Sequence, residues 1–319
     1  MPALPLRGGT PKRQDTARAV ESVVDFKTRA LYFLPMLNPL NSFRIVLVKA
    51  LKKVLGGVKF RGKGLLLSWL CPRDREIVID LAGYRFRCNL AEFIQRSIFI
   101  WGHDQNAIRF VRSRVRPGDT FVDVGANVGI FSLNASQIVG PKGRVISIEP
   151  NPATFARLSR TVAENKIANI TLCNVGLADA RAKVELYTGT SEGNDTASML
   201  PGVSTKSVTV EVLPLDDLME QCGVERIDYM KVDVDGYEHK VFAGAGKLMA
   251  SGKVRLVQCE FSDIHLRIVG STPQKLHEVI TGHGFRDVNG TPSFSPDCVV
   301  DRFFEFVGAP ATVVGATVA

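Results

Sequence analysis

From residue 120 onward, short β-branched apolar runs alternate with longer amphipathic stretches. That rhythm predicts a parallel sheet covered by helices. A strand over 120–124 leads into a helix over 129–139. The turn Gly140-Pro141-Lys142-Gly143 feeds a strand over 144–149. Pro152 opens a helix running to about 165, and 169–174 is a third strand. Residues 182–188 and 206–213 read as antiparallel strands flanking a polar loop, 188–206. A fourth parallel strand, 227–232, ends at Asp233 and is followed by a helix from about 237 to 248. A strand over 254–259 ends at Glu260. A helix over 273–283 and a terminal hairpin close the pattern.

The first third has a different texture. Residues 1–30, rich in Pro, Gly, Arg and Thr, are expected to be disordered. Phe43, Val46, Leu47, Ala50, Leu51 and Val54 recur at helical spacing, with Arg44, Lys49, Lys52 and Lys53 mostly on the other side. Such a basic amphipathic helix either packs on its own domain or lies on an anionic membrane surface. Residues 76–90 suggest a hairpin turning at Ala82-Gly83, and a helix follows around 103–114. The expected organisation is an N-terminal extension over 31–115, a cofactor domain over 116–307 and a tail over 308–319.

Charge sharpens that division. The net charge is +8, yet residues 1–100 hold 18 Lys and Arg against 7 Asp and Glu, a net +11, leaving −3 for residues 101–319. Basicity therefore belongs to the extension, which favours either an acidic partner surface or a solvated face there. The six cysteines show no CxxC pairing and no zinc spacing. Cys173 and Cys259 read as small core residues, which fits a reducing cytoplasm. No signal peptide is visible, so the expected location is cytoplasmic, with peripheral contact at the inner membrane face as an extension of it.

The chemistry concentrates at 121–129, Phe-Val-Asp-Val-Gly-Ala-Asn-Val-Gly, with Glu149 twenty residues after Gly129. A strand, a glycine turn and a helix start, followed by an acidic residue, form a ribonucleoside-binding βαβ unit. The three-glycine pyrophosphate turn is absent, because position 127 is Asn. Asp123 lies two residues before Gly125, where it would repel phosphate and suit a cationic ligand. S-adenosylmethionine (SAM) carries a sulfonium and an ammonium and has no phosphate. The alternative is a plain tight turn.

In open α/β sheets the ligand sits at the carboxyl ends of the strands. Asp123, Glu149, Asn174, Asp233 and Glu260 stand at or just past such ends and are expected on one rim. Asp123 is expected to receive the methionine ammonium, directly or through water. The backbone of Gly125, Ala126, Asn127 and Gly129 meets the methionine moiety. Glu149, followed by Pro150, accepts the ribose hydroxyls, and the turn from Asn174 to Asp179 meets the adenine or is simply a β–α turn. An aliphatic hydroxyl needs a base or a metal to attack a methyl group; Asp233, Glu260 and His265 are the candidate bases, Asp233 favoured, with Asp235 and Glu238 behind them. Glu238 reads as a helix N-terminal charge, His239 as solvent-facing, and the loop 188–206 either as part of the acceptor site or as a mobile linker. A metal bound by Asp233 and Glu260 stays open as an alternative, which carboxylate spacing alone does not assign.

The segments Val122-Asp-Val-Gly-Ala-Asn-Val-Gly129, Glu149-Pro-Asn-Pro152, Gly176-Leu-Ala-Asp179, Leu215-Asp-Asp-Leu218 and Ile227-Asp-Tyr-Met-Lys-Val-Asp-Val-Asp-Gly-Tyr-Glu238 resemble the FkbM family of SAM-dependent methyltransferases. Gly244-Ala245 and Glu260 also fit, and the resemblance covers roughly 120–285. It implies a class I methyltransferase (Rossmann-like) fold with a seven-stranded, mostly parallel sheet and helices on both faces. It also implies O-methylation of hydroxyls on polyketides, sugars or glycolipids. Asp235 departs from the family's more usual Glu and keeps its charge. Three other readings stay open at this stage. One is a nucleic-acid methyltransferase, weakened because no Pro-Pro-aromatic segment follows the fourth strand. Another is a nicotinamide-dependent oxidoreductase, and the third is a non-catalytic binding protein that keeps the fold.

Overall fold

The computed structural model describes residues 40–55, 63–102, 105–190, 193–198 and 204–308. The expected disorder over 1–30 and all but Gly308 of the expected tail lie outside the described residues. Helices α1 (Leu40–Leu55) and α2 (Lys63–Leu70) precede a hairpin of β1 (Glu76–Leu81) and β2 (Tyr84–Asn89), then α3 (Phe93–Trp101) and α4 (Gln105–Arg114). The hairpin turns at Ala82 and Gly83, both at positive φ, as its sequence predicts.

The alternating part follows as β3 (Thr120–Val124), α5 (Ile130–Val139), β4 (Arg144–Ile148), α6 (Pro152–Glu164) and β5 (Ile170–Cys173). A side sheet is built from β6 (Gly176–Leu177), β7 (Ala182–Thr190), β8 (Gly193–Ser198) and β9 (Ser207–Leu213). Then come α7 (Leu215–Gln221), β10 (Tyr229–Val232), α8 (Glu238–Ala243), α9 (Gly246–Ala250), β11 (Leu256–Ser262), α10 (Asp263–Ile268), α11 (Pro273–Gly282), β12 (Phe285–Asp287) and β13 (Val299–Phe306). The seven-stranded sheet runs β12-β13-β11-β10-β3-β4-β5, with β13 antiparallel to both neighbours. This is the class I methyltransferase arrangement. The chain winds outward from β3 to β5, then crosses to β10, so the strand order switches between β3 and β10.

Period-two alternation splits the sheet into two faces. Val122, Val124, Ile146, Ile148, Met230, Val232 and Cys259 enter a core beneath α7, α8 and α11. Phe121, Val145, Tyr229 and Leu256 point the other way, into a core shared with α4, α5, the hairpin and the N-terminal helices.

Four local expectations are corrected by tertiary contacts. The loop 188–206 contains β8, which folds back on β7. The helix over 237–248 is two helices, because Gly244 lies so tightly against the Ala178 carbonyl and Pro214 that the chain bends there. Asp216 then caps α9, accepting from the Lys247 and Leu248 amides at 2.9 and 3.0 Å. β11 runs on past Glu260 to Ser262, because β13 supplies a partner over that length.

The fourth correction concerns the face of α1. Val48 is buried, whereas Phe43, Val46 and Val54 are 63%, 63% and 72% exposed. Arg44 donates to the Leu70 and Trp69 carbonyls at the end of α2 (2.8 and 2.7 Å). Lys52 donates to the Phe99 carbonyl near the end of α3. Orphan carbonyls at helix ends need donors, and supplying them turns part of the basic face inward. All six cysteines are free thiols; Cys259 is buried and Cys173 half-buried. Among the described residues no helix is long and apolar enough to cross a membrane.

Candidate active site

Strand register sets the rim. Asp123 pairs with Ser147 and with Lys231, and Lys231 pairs with Gln258, so these four side chains share one row on one face. Two residues further on, the same face presents Glu149, Asp233 and Glu260 at the carboxyl ends of β4, β10 and β11. Asp233 and Glu260 are level although β11 continues, because Val232 is in register with Cys259. Asn174 ends β5 at the far side of Glu149.

The turn between β3 and α5 is held open by backbone conformation. Gly125, Asn127 and Gly129 all have positive φ, at 77°, 51° and 93°. The Gly125 and Ala126 amides donate to the Ile148 carbonyl at 3.0 and 2.9 Å, which binds the turn to β4. Glu149, only 6% exposed, accepts from the Asn127 amide through Oε2 (2.9 Å) and from the Asn151 amide through Oε1 (2.8 Å). Burial pushes its carboxyl up to about 7, against the pull of those two amides. Asn174 donates its amide to the Glu149 and Pro150 carbonyls (2.8 and 3.2 Å), bracing the strand end from outside. Asp179 is exposed and turned toward α8, where it pairs with Lys240 at 2.6 Å. Between them the chain is not a bare turn: β6 pairs in parallel with β9.

Asp123 has no accessible surface in this arrangement, which closes it to direct contact with a ligand's ammonium. Ser132 of α5 donates to its Oδ2 at 2.5 Å, and Lys231 Nζ stands 3.8 Å from its Oδ1. Burial raises the Asp123 carboxyl, with Lys231 and Ser132 opposing. Lys231 is the residue sequence reasoning passed over. Its Nζ lies 3.1 Å from Asp233 Oδ2, donates to the Gly125 carbonyl at 3.2 Å and faces the Phe131 ring at 5.0 Å. Burial disfavours its charge, but Asp233 and then Asp123 hold the ammonium above its usual range. The missed signal was a lysine inside the fully buried strand Tyr-Met-Lys-Val.

The turn after β10 forms the other wall. Asp235 and Gly236 have positive φ (50° and 100°), and a Cβ on Gly236 would come within 2.9 Å of the His265 carbonyl oxygen. Glu238, 1% exposed, accepts from the Val234 and Gly236 amides at 3.0 and 3.2 Å, so it ties this turn rather than merely charging a helix end. Burial pushes it up to about 7. His239 is half-buried, its Nδ1 3.1 Å from the Gly236 carbonyl, and does not face solvent freely. Asp235, Glu260 and His265 converge, each offering one donor atom within 4.8 Å of the others. Burial, then the Asp233, Asp235, Glu238 and Asp301 carboxylates, drive Glu260 well above the usual carboxylate range.

Residues 123–286 match the family described as the methyltransferase FkbM domain. The hexuronic acid methyltransferase AglP of Haloferax volcanii is 28% identical over 200 residues, spanning 60% of this chain and 80% of that protein. The 31-O-demethyl-FK506 methyltransferase FkbM of Streptomyces tacrolimicus is 28% identical over 223 residues, 61% of this chain and 82% of its own. The 2-O-methyltransferase NoeI of Sinorhizobium fredii is 25% identical over 166 residues, 47% and 66% respectively.

Proposed function

Because this chain belongs to the FkbM family of methyltransferases, and is thereby a SAM-dependent O-methyltransferase, we propose that the rim around β3, β4 and β10 performs the transfer. One observation carries the reading: the open Gly125–Gly129 turn, Glu149 and Asp233 occupy neighbouring strand ends on one face. The positive-φ turn leaves backbone for the methionine moiety, and Glu149 takes the ribose hydroxyls with its remaining lone pairs. Pro150, Asn174 and Asp179 lie on the adenine side. Asp123 acts on the sulfonium end through the charge of Lys231, which it helps to hold. The family excludes neither sugars nor polyketides. The relatives' acceptors and the absence of phosphate-type glycines favour a hydroxylated small molecule or glycan over nucleic acid, and SAM over nicotinamide.

Methyl transfer is an in-line displacement. The acceptor oxygen bonds to the methyl carbon as the carbon–sulfur bond breaks, its electron pair going to sulfur. The hydroxyl proton leaves to Asp233, whose Oδ2 rests on Lys231 while Oδ1 remains for the acceptor. Glu260 and His265 stand beside it. Calorimetry with SAM and with NAD tests the cofactor, and labelled-methyl transfer to uronic acids, neutral sugars and hydroxylated macrolides tests the acceptor. Asp233→Asn is expected to lower turnover at least ~100-fold with SAM affinity little changed. Equal losses in both would make it a binding residue.

We further propose peripheral contact with an anionic membrane through α1. The outward Phe43, Val46 and Val54 beside exposed Lys49 and Lys53 support it, as do the chain's two tryptophans, Trp69 and Trp101, both about half exposed. Co-sedimentation with phosphatidylglycerol vesicles, lost on Phe43→Ser/Val46→Ser and absent with phosphatidylcholine alone, is the expected result. Equal recovery in the supernatant from both vesicle types ends the idea.

A further inference from the structure

We propose that Asp235, Glu260 and His265 form a divalent-cation site at the acceptor side of the rim, which positions and acidifies the acceptor hydroxyl. The inference rests on the methyltransferase reading and deepens it. Three elements contribute one ligand each: the turn after β10, the strand β11 and the helix α10. Their donor atoms lie within 4.8 Å of one another. His265 Nδ1 is 3.5 Å from Asp235 Oδ1. Bonds of about 2.0–2.2 Å to one cation set neighbouring donors about 3–3.5 Å apart; the His265–Asp235 pair already has that spacing, and Glu260 lies within 4.8 Å of both.

The second observation is electrostatic and independent of that spacing. His265 Nδ1 is buried and has no hydrogen-bond partner, although Asp235 is within ion-pair distance. This nitrogen therefore stands beside the carboxylates without a hydrogen bond to either. Behind them Glu238, also buried, leaves Oε2 without a partner. The ammonium of Lys231 is shared between Asp123 and Asp233, on the other side of Asp233. A buried donor without a partner beside converging carboxylates is costly unless something cationic satisfies them.

The cradle is also preorganised. The Ser262 hydroxyl accepts from the His265 amide at 3.5 Å, which starts α10 with the imidazole facing the rim. Gly236 packs directly on the His265 backbone, which locks the Asp235 turn to α10. Two carboxylates and one imidazole suit Mn²⁺ or Zn²⁺ better than Ca²⁺. Three protein ligands leave positions for water and the acceptor oxygen. A cation there lowers the pKa of that hydroxyl, whose proton passes to Asp233 as its oxygen takes the methyl group.

The test is titration of the full-length protein with MnCl₂ by calorimetry, with and without SAM. One Mn²⁺ per chain is expected, with affinity at least tenfold weaker in His265→Ala and Glu260→Gln and SAM affinity unchanged in both. In the wild-type chain, Mn²⁺ is expected to broaden the His265 imidazole resonances first among the five histidines, a readout that needs no variant to fold. Saturable SAM binding without saturable Mn²⁺ binding would overturn the site and leave the methyltransferase reading intact. Mn²⁺ binding that ignores both substitutions, or broadens another histidine instead, would equally overturn it. Failure to bind SAM would strike the parent reading instead.

Discussion

Gly125 lies directly under the carbonyl of Asp233, so close that a Cβ at Gly125 would penetrate that oxygen. The cofactor turn and the proposed base are thus fitted to each other through backbone alone. At φ 77° the position also strains any side chain. Gly125→Ala is expected to cost more than ~2 kcal/mol of stability and to abolish SAM binding, measured by urea unfolding and calorimetry. A variant as stable as the parent and still binding SAM would mean the turn moves freely relative to β10.

Lys231 holds its ammonium between a carboxylate buried in the sheet, Asp123, and one at its rim, Asp233. Lys231→Met removes the cation and leaves Asp123 and Asp233 facing each other, a loss of about 3–5 kcal/mol in denaturant unfolding. Adding Asp123→Asn to it should recover a large part of the loss, because the buried charge goes with its partner. An additive double variant would show that the two residues do not share this interaction.

Glu149 should govern cofactor affinity and its pH dependence. Glu149→Ala weakens SAM binding by at least ~1.5 kcal/mol, roughly tenfold, as charged hydrogen bonds to the ribose disappear. Without cofactor the carboxyl titrates at about 7, and the ribose hydroxyls favour its ionised form. SAM affinity in the wild type is therefore expected to fall as pH drops below about 7, with proton release on binding. Calorimetry in two buffers of different ionisation enthalpy reads that proton directly.

Glu238 should make the folded chain more stable in mild acid than this carboxyl alone allows at neutral pH. Burial pushes its carboxyl up to about 7 from an ordinary 4.5, so it remains protonated in the fold where the unfolded chain is charged. The contribution is complete below pH 4.5 and lost as pH rises through 7, up to about 3 kcal/mol in all. Glu238→Gln keeps the Oε1 acceptor for Val234 and Gly236 and removes the charge. It should stabilise the protein at pH 8 and have little effect at pH 4.5, measured by thermal unfolding at both.

The strand–helix alternation, the hairpin at Ala82-Gly83, the Gly125–Gly129 turn and the level of Glu149 and Asp233 were legible from residue types and spacing. Those features depend on local backbone preference and period-two burial, which neighbouring residues reveal. The outward face of α1 was not legible, because the carbonyls that Arg44 and Lys52 serve belong to distant helices. Nor was the burial of Asp123, which depends on α5 bringing Ser132 over the sheet.

The order of residues alone determined that this chain builds a nucleoside-binding βαβ unit and lines its strand ends with acids. Tertiary structure decided which of those acids meet. Lys231 binds Asp123 to Asp233 across two strands adjacent in space and over a hundred residues apart in the chain. Asp235, Glu260 and His265 converge only because Gly236 lets the turn after β10 lie flat on α10. Local pattern carries the conformation of each segment, but charge pairing acts through space, and the distances through space exist only once the sheet has closed.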